Sequence, residues 1–209
     1  LLWLAQASRM RATVLCSPNF GYQHYLGQYE AKPSQQLDLS SVRLMFNGAE
    51  PISAPLCRRF LNAMAPHGLQ AGVMFAVYGL AEASLAVSFP RPGDALETLW
   101  LERAALDLGK PVREAAPGAS HAAEFVKLGR PVPGTEVRVV DDAGVLLGEA
   151  MVGHVQIRGD NVTQGYHGDA GAPAGVRSRD GWLDTGDLGL FSGGQLVITG
   201  RAKDIVFVN

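Results

Sequence analysis

Residues 42–77, VRLMFNGAEPISAPLCRRFLNAMAPHGLQAGVMFAV, set a strand, a helix and a second strand in succession. Val42 to Phe46 is a compact apolar run with the length of a strand buried on both faces, and it ends on the turn-forming Asn47-Gly48-Ala49-Glu50-Pro51. Ser53 stands as N-cap of the next segment. Leu56, Phe60, Ala63 and Met64 fall on one helical face, and Gly68 lies just past its end. Val73 to Val77 is again a buried type of strand. This order predicts a parallel sheet with crossover helices. The loops Asn47–Glu50 and Tyr78–Glu82 then leave the carboxyl ends of strands, where open α/β sheets bind ligands.

Toward the amino terminus, Leu1 to Arg11 reads as the end of an amphipathic helix and Thr13 to Cys16 as a short strand. A further helix is predicted with Ser17 as N-cap and Pro18 in its first turn, where a missing N–H costs nothing. Toward the carboxyl terminus, Tyr78-Gly79 breaks the strand, a short helix follows around Ala81 to Leu85, and Ala86 to Phe89 looks like another strand. The texture changes after Pro92. Residues 111–124 are rich in Ala, Pro and Gly with little periodicity. Beyond them come short strands at Thr135–Val140, Val152–Arg158, Leu188–Phe191 and Gln195–Thr199, with the turn signals Asp142-Ala143-Gly144 and Ser192-Gly193-Gly194 between strands. The expectation is an α/β fold: a parallel-sheet α/β subdomain over 1–95 holding adenine and acyl pockets, an irregular insertion-like region over 96–125, a small antiparallel β-barrel-like subdomain over 126–200 and a hinge over 201–209.

Composition narrows the function. The chain has 209 residues, 47% hydrophobic and 18% charged, and a net charge of −2, so no bulk electrostatics favour nucleic acid. The apolar runs stop well short of the ~18–20 residues of a membrane helix. Cys16 and Cys57 lack Cys-x-x-Cys spacing, which suits a reducing cytoplasm. His24, His67, His121, His154 and His167 show no metal-ligand spacing. The sequence contains neither a Gly-x-Ser-x-Gly elbow nor a phosphate loop ending in Lys-Ser or Lys-Thr. It opens on Leu1-Leu2-Trp3-Leu4 without a charged n-region and closes on the apolar Ile205-Val206-Phe207-Val208-Asn209, which reads as a fragment of a longer polypeptide without a secretory signal.

Two segments carry chemistry. Asp184-Thr185-Gly186-Asp187 is followed, after a hairpin, by Gly200-Arg201-Ala202-Lys203-Asp204. Asp187 can accept from both hydroxyls of a ribose diol, or Asp184 and Asp187 can simply cap turns in a Gly-containing loop. Arg201 offers a fork of donors to sugar or phosphate oxygens, or is a solvated strand-end arginine. In Tyr78-Gly79-Leu80-Ala81-Glu82 the ring offers a flat face for a base, Gly79 permits close backbone approach and Glu82 supplies a hard oxygen for Mg²⁺. The plainer reading packs Tyr78 in the core and makes Glu82 a helix-start acid. Gly48-Ala49-Glu50 is either the other wall of a base slot or a tight strand-to-helix turn.

In order and spacing these segments resemble four signature blocks of the adenylate-forming superfamily of acyl-CoA synthetases, nonribosomal peptide adenylation domains and luciferases. Tyr78–Glu82 resembles the adenine and magnesium block, Val152–Tyr166 the Gly-containing strand block, Asp184–Asp187 the ribose block and Gly200–Asp204 the hinge block. Within the superfamily the chain looks most like the fatty acyl-AMP ligases of hybrid polyketide and peptide assembly lines. The resemblance is carried by Ser17-Pro18-Asn19-Phe20-Gly21-Tyr22, Phe46-Asn47-Gly48-Ala49-Glu50-Pro51, Tyr78–Glu82 and Lys203–Asn209. Ala81 stands where the wider superfamily usually has Thr and the ligase subgroup typically has Ala. Residues from about 95 to 125 resemble the region of a subgroup insertion that disfavours CoA.

The resemblance implies ATP and Mg²⁺ as cofactors and a fatty acid as substrate. It also implies an acyl carrier protein, fused or free, as acceptor. Tyr78 to Ala81 and Gly48 to Glu50 would contact adenine, Glu82 would hold Mg²⁺, and Asp187 and Arg201 would grip the ribose. Lys203 would be the hinge of a C-terminal domain, and Asn19, Phe20 and Tyr22 would line the acyl pocket. His154 replaces the usual Glu of the strand block. The upstream phosphate loop and the C-terminal domain with its adenylation lysine do not occur in this sequence, so little activity is expected of it alone. The competing readings are an acyl-CoA synthetase of the same fold and a non-catalytic nucleotide-binding domain.

Overall fold

The computed structural model describes residues 2–31, 36–165, 178 and 180–203. Tyr166, His167 and Asp204–Asn209, which figure in the expectations above, lie outside the described residues. The chain divides into two compact units, one of Leu1–Val77 with Pro90–Glu97 and one of Tyr78–Phe89 with Thr98–Asn209.

The first unit runs α1 (Leu2–Met10), β1 (Val14–Cys16), α2 (Asn19–Ala31), β2 (Leu44–Asn47), α3 (Ala54–Met64) and β3 (Met74–Ala76). Its strands form a parallel sheet in the order β1-β2-β3, with Leu15 opposite Met45 and Met45 opposite Met74. The helical connections expected between parallel strands are α2 and α3. Helix α3 is capped as expected: Ser53 accepts from the Leu56 N–H, Pro55 sits in the first turn, and Gly68 follows the terminal 3₁₀ turn at φ 84°. Helix α2 departs from expectation. It starts at Asn19, and the Ser17 hydroxyl donates to the Pro18 carbonyl instead of accepting from the helix. Strand β2 is also less buried than its apolar run predicts, since burial alternates along it and only Met45 and Asn47 are fully enclosed.

Aromatic packing holds this unit. Phe60 of α3 is fully buried with its ring centroid 4.9 Å from that of Tyr22, and Tyr25 and Trp3 close around it at 6.1 and 6.5 Å. Edge-to-face contacts of this kind add to the area they bury.

The second unit comprises β4 (Ser88–Phe89), β5 (Thr98–Glu102), β6 (Ala122–Val126), β7 (Arg130–Pro131), β8 (Thr135–Val140), β9 (Gly153–Gly159), β10 (Leu183–Ser192) and β11 (Gln195–Arg201). The last four form an antiparallel sheet in the order β11-β10-β9-β8, and β4 pairs with β7 and β5 with β6. The barrel-like expectation is corrected, because β8 and β11 are opposite edges that do not pair, and the sheet stays open. The β11 edge is covered by main chain: the Leu128 N–H donates to Leu196 O and the Leu196 N–H to Gly129 O, each at 2.8 Å.

Two further expectations change. Residues 96–125 are not uniformly irregular, since Thr98–Glu102 pairs along its length with Ala122–Val126 and buries Leu99 and Leu101 on one face. The first unit does end at Glu97, close to the expected residue 95, but residues 78–89 within that range belong to the second unit, where they fold back on themselves. Tyr78 and Ser88 exchange main-chain bonds, Tyr78 N–H to Ser88 O at 3.1 Å and Ser88 N–H to Tyr78 O at 3.0 Å. Among the described residues no helix is long and apolar enough to cross a membrane.

Phe60→Ala is expected to destabilise the full-length polypeptide by about 3–5 kcal/mol, from lost burial and the cavity left behind. Urea unfolding followed by far-UV circular dichroism measures it.

Candidate functional site

The site of the second unit is built on an irregularity between β10 and β11. At the turn end Ser192 faces Gln195 and Gly189 faces Ile198, but the register then shifts so that Leu188 faces Gly200 and Asp187 faces Arg201, with Thr199 between the two runs. On its other side β10 loses its ladder to β9 between Asp184 and Leu188. Side chains replace the missing bonds. Thr185 Oγ1 donates to Val155 O at 2.9 Å and accepts the Asp187 N–H at 3.1 Å. Gly186, at φ 74°, accepts the Ala202 N–H at 3.0 Å. A left-handed backbone at this point suits glycine.

The two acids of the quartet separate into different roles. Asp184 is exposed and caps the turn, its Oδ1 accepting the Gly186 N–H at 2.8 Å. Asp187 is 7% exposed. Its Oδ1 accepts from Arg201 Nε at 2.9 Å and its Oδ2 from the Tyr78 hydroxyl at 2.6 Å. Burying a carboxyl group is costly without such donors, and the two bonds offset that cost at Asp187. Arg201 keeps 63% of its side chain in solvent, so as an ion pair the contact adds little by itself.

Tyr78 is half-buried against the cluster of Ala83, Val87, Ile157, Val162 and Leu183, and Leu80 packs on the same cluster. The ring of Tyr78 thus rests on the core while its hydroxyl reaches Asp187. Burial, and next the neighbouring Asp187 carboxylate, push its phenol far above the ordinary tyrosine range. Gly79 has a steric reason, since a Cβ there would lie 1.5 Å from the Leu85 carbonyl oxygen. Ala81 is exposed and Glu82 half-buried in the turn that follows. Among the described residues no group of three or more His, Cys, Asp or Glu side chains could cage a metal. A single carboxylate together with phosphate oxygens is a usual Mg²⁺ donor set, and the half-buried Glu82 is a side chain of that donor type. Lys203 is exposed at the last described position.

The first unit gathers its expected residues at the carboxyl ends of β1 and β2. Glu50 Oε1 accepts the Phe20 N–H at 3.0 Å, Asn19 Nδ2 donates to Pro51 O at 2.6 Å, and Asn19 Oδ1 accepts from Asn47 at 3.0 Å and from the Ser53 N–H at 3.3 Å. Gly48 lies against Val77, with room for no Cβ (2.9 Å to Cγ2), and Ala49 is held at φ 67°. Phe20 is 69% exposed, whereas Tyr22 is fully enclosed with its hydroxyl on Phe46 O at 2.8 Å. Tyr22 is thus brought into the aromatic core and Phe20 to the surface. His154 meets Asp142 Oδ1 at 3.0 Å. Thr185 and the Tyr78–Asp187 bond were missed by sequence reasoning, which had treated Tyr78 and Asp187 as separate motifs.

The AMP-binding enzyme family model matches residues 1–167. A Caulobacter vibrioides protein provisionally named an acyl-CoA synthetase is 36% identical over 211 residues, covering 100% of this chain and 36% of that protein. Among solved structures, the adenylation domain of a keto acid-selecting NRPS module bound to a keto acyl adenylate superposes with a TM-score of 0.91 at 35% identity, covering 100% of this chain and 40% of that one. The fatty acid AMP ligase from Legionella pneumophila superposes with a TM-score of 0.90 at 30% identity, covering 97% and 36%. The α/β architecture, a parallel sheet with antiparallel sheets, is that of these adenylation domains. The chain spans little more than a third of the length of the relatives it matches.

Tyr78→Phe is expected to leave a buried carboxylate oxygen short of a donor and to cost about 1–3 kcal/mol of stability. Because the Tyr78 phenol is displaced upward, the variant should show an unchanged rise in tyrosinate absorbance around pH 10 in a spectrophotometric titration.

Proposed function

The chain belongs to the AMP-binding enzyme family, and from that premise we propose that the full-length polypeptide activates a fatty acid as its acyl-AMP and passes the acyl group to the phosphopantetheine thiol of a carrier protein. A carboxylate oxygen of the acid attacks the α-phosphorus of ATP, the bond to the β-phosphate oxygen breaks, and pyrophosphate leaves. In the second step the thiol sulfur attacks the acyl carbonyl and AMP leaves with the electron pair of the mixed anhydride.

The observation that carries the reading is the buried Asp187 held between Tyr78 and Arg201. A carboxylate oxygen has two acceptor sites, and each oxygen of Asp187 has spent one on these donors. One on each oxygen is then left for the two hydroxyls of a ribose. Arg201 would add donors to the same sugar, and Tyr78, in the same bonded set, would meet the attached base. Gly48, Ala49 and Glu50 would present main chain to the adenine. Phe20, exposed beside Asn19, would contact the acyl chain, with Tyr22 supporting it from the core. Glu82 would hold Mg²⁺, which supplies neutralisation of the charge that grows on the departing pyrophosphate. Lys203 would serve as the hinge. The two free thiols of the chain are compatible with a cytoplasmic setting.

The choice of a fatty acid is supported by the likeness to the Legionella ligase and by Ala81. The name of the Caulobacter relative favours a second reading, with CoA as the acceptor.

The test supplies the purified full-length polypeptide with ATP, Mg²⁺, a panel of fatty acids, CoA and a holo carrier protein together, and identifies the thioester by intact mass. Acyl carrier without acyl-CoA is expected, and acyl-CoA as the main product would move the acceptor to the synthetase reading. Asp187→Ala should lower adenylation by roughly 10- to 100-fold, the effect of losing charge-assisted bonds to a bound sugar. Unchanged ATP affinity and rate would remove the ribose assignment.

A further inference from the structure

The segment that carries Glu82 is an unusual piece of backbone. After a 3₁₀ turn at Ala81–Ala83, two consecutive non-glycine residues are left-handed, Ser84 at φ 49° and Leu85 at φ 87°. Leu85 is also 75% exposed, so burial of its side chain does not compensate the strain. Conformations of this kind persist only where surrounding bonds over-determine them.

To the segment's own bonds, from the Ser84 N–H to Ala81 O and from the Leu85 N–H to Leu80 O, each at 3.1 Å, the turn after β9 adds a set made largely by side chains. Asn161 Nδ2 donates to Ala83 O at 2.9 Å and to Ala86 O at 3.1 Å, so one amide group spans both sides of the left-handed pair. Its Oδ1 accepts from Thr135 Oγ1 at 3.0 Å, which anchors it to β8. Its main-chain oxygen accepts from Ser84 Oγ at 3.0 Å, and two residues on, the Thr163 N–H donates to the carbonyl of Glu82 itself at 2.7 Å. The local backbone is built to bring this amide in: Gly159 can carry no side chain, since a Cβ would lie 2.6 Å from Asn161 Oδ1 and 2.5 Å from Gly134 O. An amide side chain alone offers two donors and an acceptor on so short a stem. Aspartate would set oxygens against two carbonyl oxygens, and alanine would leave Ala83 O and Ala86 O without this donor.

We propose that Asn161 is a positioning residue for Glu82, fixing the height and direction of its carboxylate without touching nucleotide or acyl substrate. The inference rests on the proposed role of Glu82 at Mg²⁺. The Asp187–Arg201 pair does not depend on Asn161 for its bonds, so ribose binding and metal use should separate when Asn161 is changed.

The experiment compares the full-length polypeptide with Asn161→Ala and Asn161→Asp, reading hydrogen exchange of residues 79–88, AMP affinity, and the Mg²⁺ concentration for half-maximal pyrophosphate release. Expected are faster exchange at 81–86, AMP affinity within about twofold, and a Mg²⁺ requirement raised on the order of tenfold, the effect of losing a hydrogen bond's worth of placement. Aspartate should be no better than alanine. Unchanged exchange at 81–86 overturns the proposal, as does a parallel loss of AMP affinity and folding, which would make Asn161 a general support. Faster exchange with an unchanged Mg²⁺ requirement also overturns it, and Glu82→Gln in the same assay separates the causes. If Glu82→Gln leaves the requirement unchanged, the metal role of Glu82 has failed; if it raises the requirement, only the positioning role of Asn161 has.

Discussion

A carboxylate that is nine-tenths buried must be met by donors, and around Asp187 this requirement organises the second unit. Its two partners lie on opposite sides of it in sequence, Tyr78 109 residues away and Arg201 only 14. The long-range bond fastens a loop to a sheet, and the short-range one fixes where two neighbouring strands meet. Neither partner is expendable in the same way. The guanidinium is largely hydrated, so its attraction to Asp187 is weak in net terms. The phenol is half-buried and neutral, and its hydroxyl donates where water has poor access.

The loop from Tyr78 to Ser88 meets the opposite problem. It passes through two residues whose backbone resists the conformation. Its own main-chain bonds are joined from outside by those of Asn161 and Thr163 on the turn after β9. The first unit is stabilised differently. There the rings of Phe60, Tyr22, Tyr25 and Trp3 pack on one another, and at the strand ends Asn19 links the Asn47–Pro51 turn to the cap of α3.

Where periodicity and caps were strong the sequence was legible. The strand, helix, strand order of residues 42–77 and the Ser53 cap appear in the structure because local preference and packing agree there. The pairing of Asp187 with Arg201 was also readable, since a hairpin signal sat between them. Composition misled at 96–125: the alternation of Thr98-Leu99-Trp100-Leu101-Glu102 was a strand pattern, overshadowed by the Ala, Pro and Gly that follow. Sheet closure was not legible, because alternating strands look the same in a barrel and in an open sheet. Nor was the fate of Tyr22, one turn of helix from Asn19 and aimed into the core. Asn161 offered no signal at all, as its bonds run to main-chain oxygens that any residue can supply.

The displaced pairing near Thr199 ties two distant lengths together. Side chains on a strand change face with every residue, so Arg201 stands level with Asp187 only while one extra residue is accommodated between that pair and the Gly193-Gly194 tip. The tip touches no chemistry, yet a single residue gained or lost there without compensation would turn the guanidinium to the far side of the sheet. The hairpin works as a ruler whose length sets the face on which the arginine meets the acid.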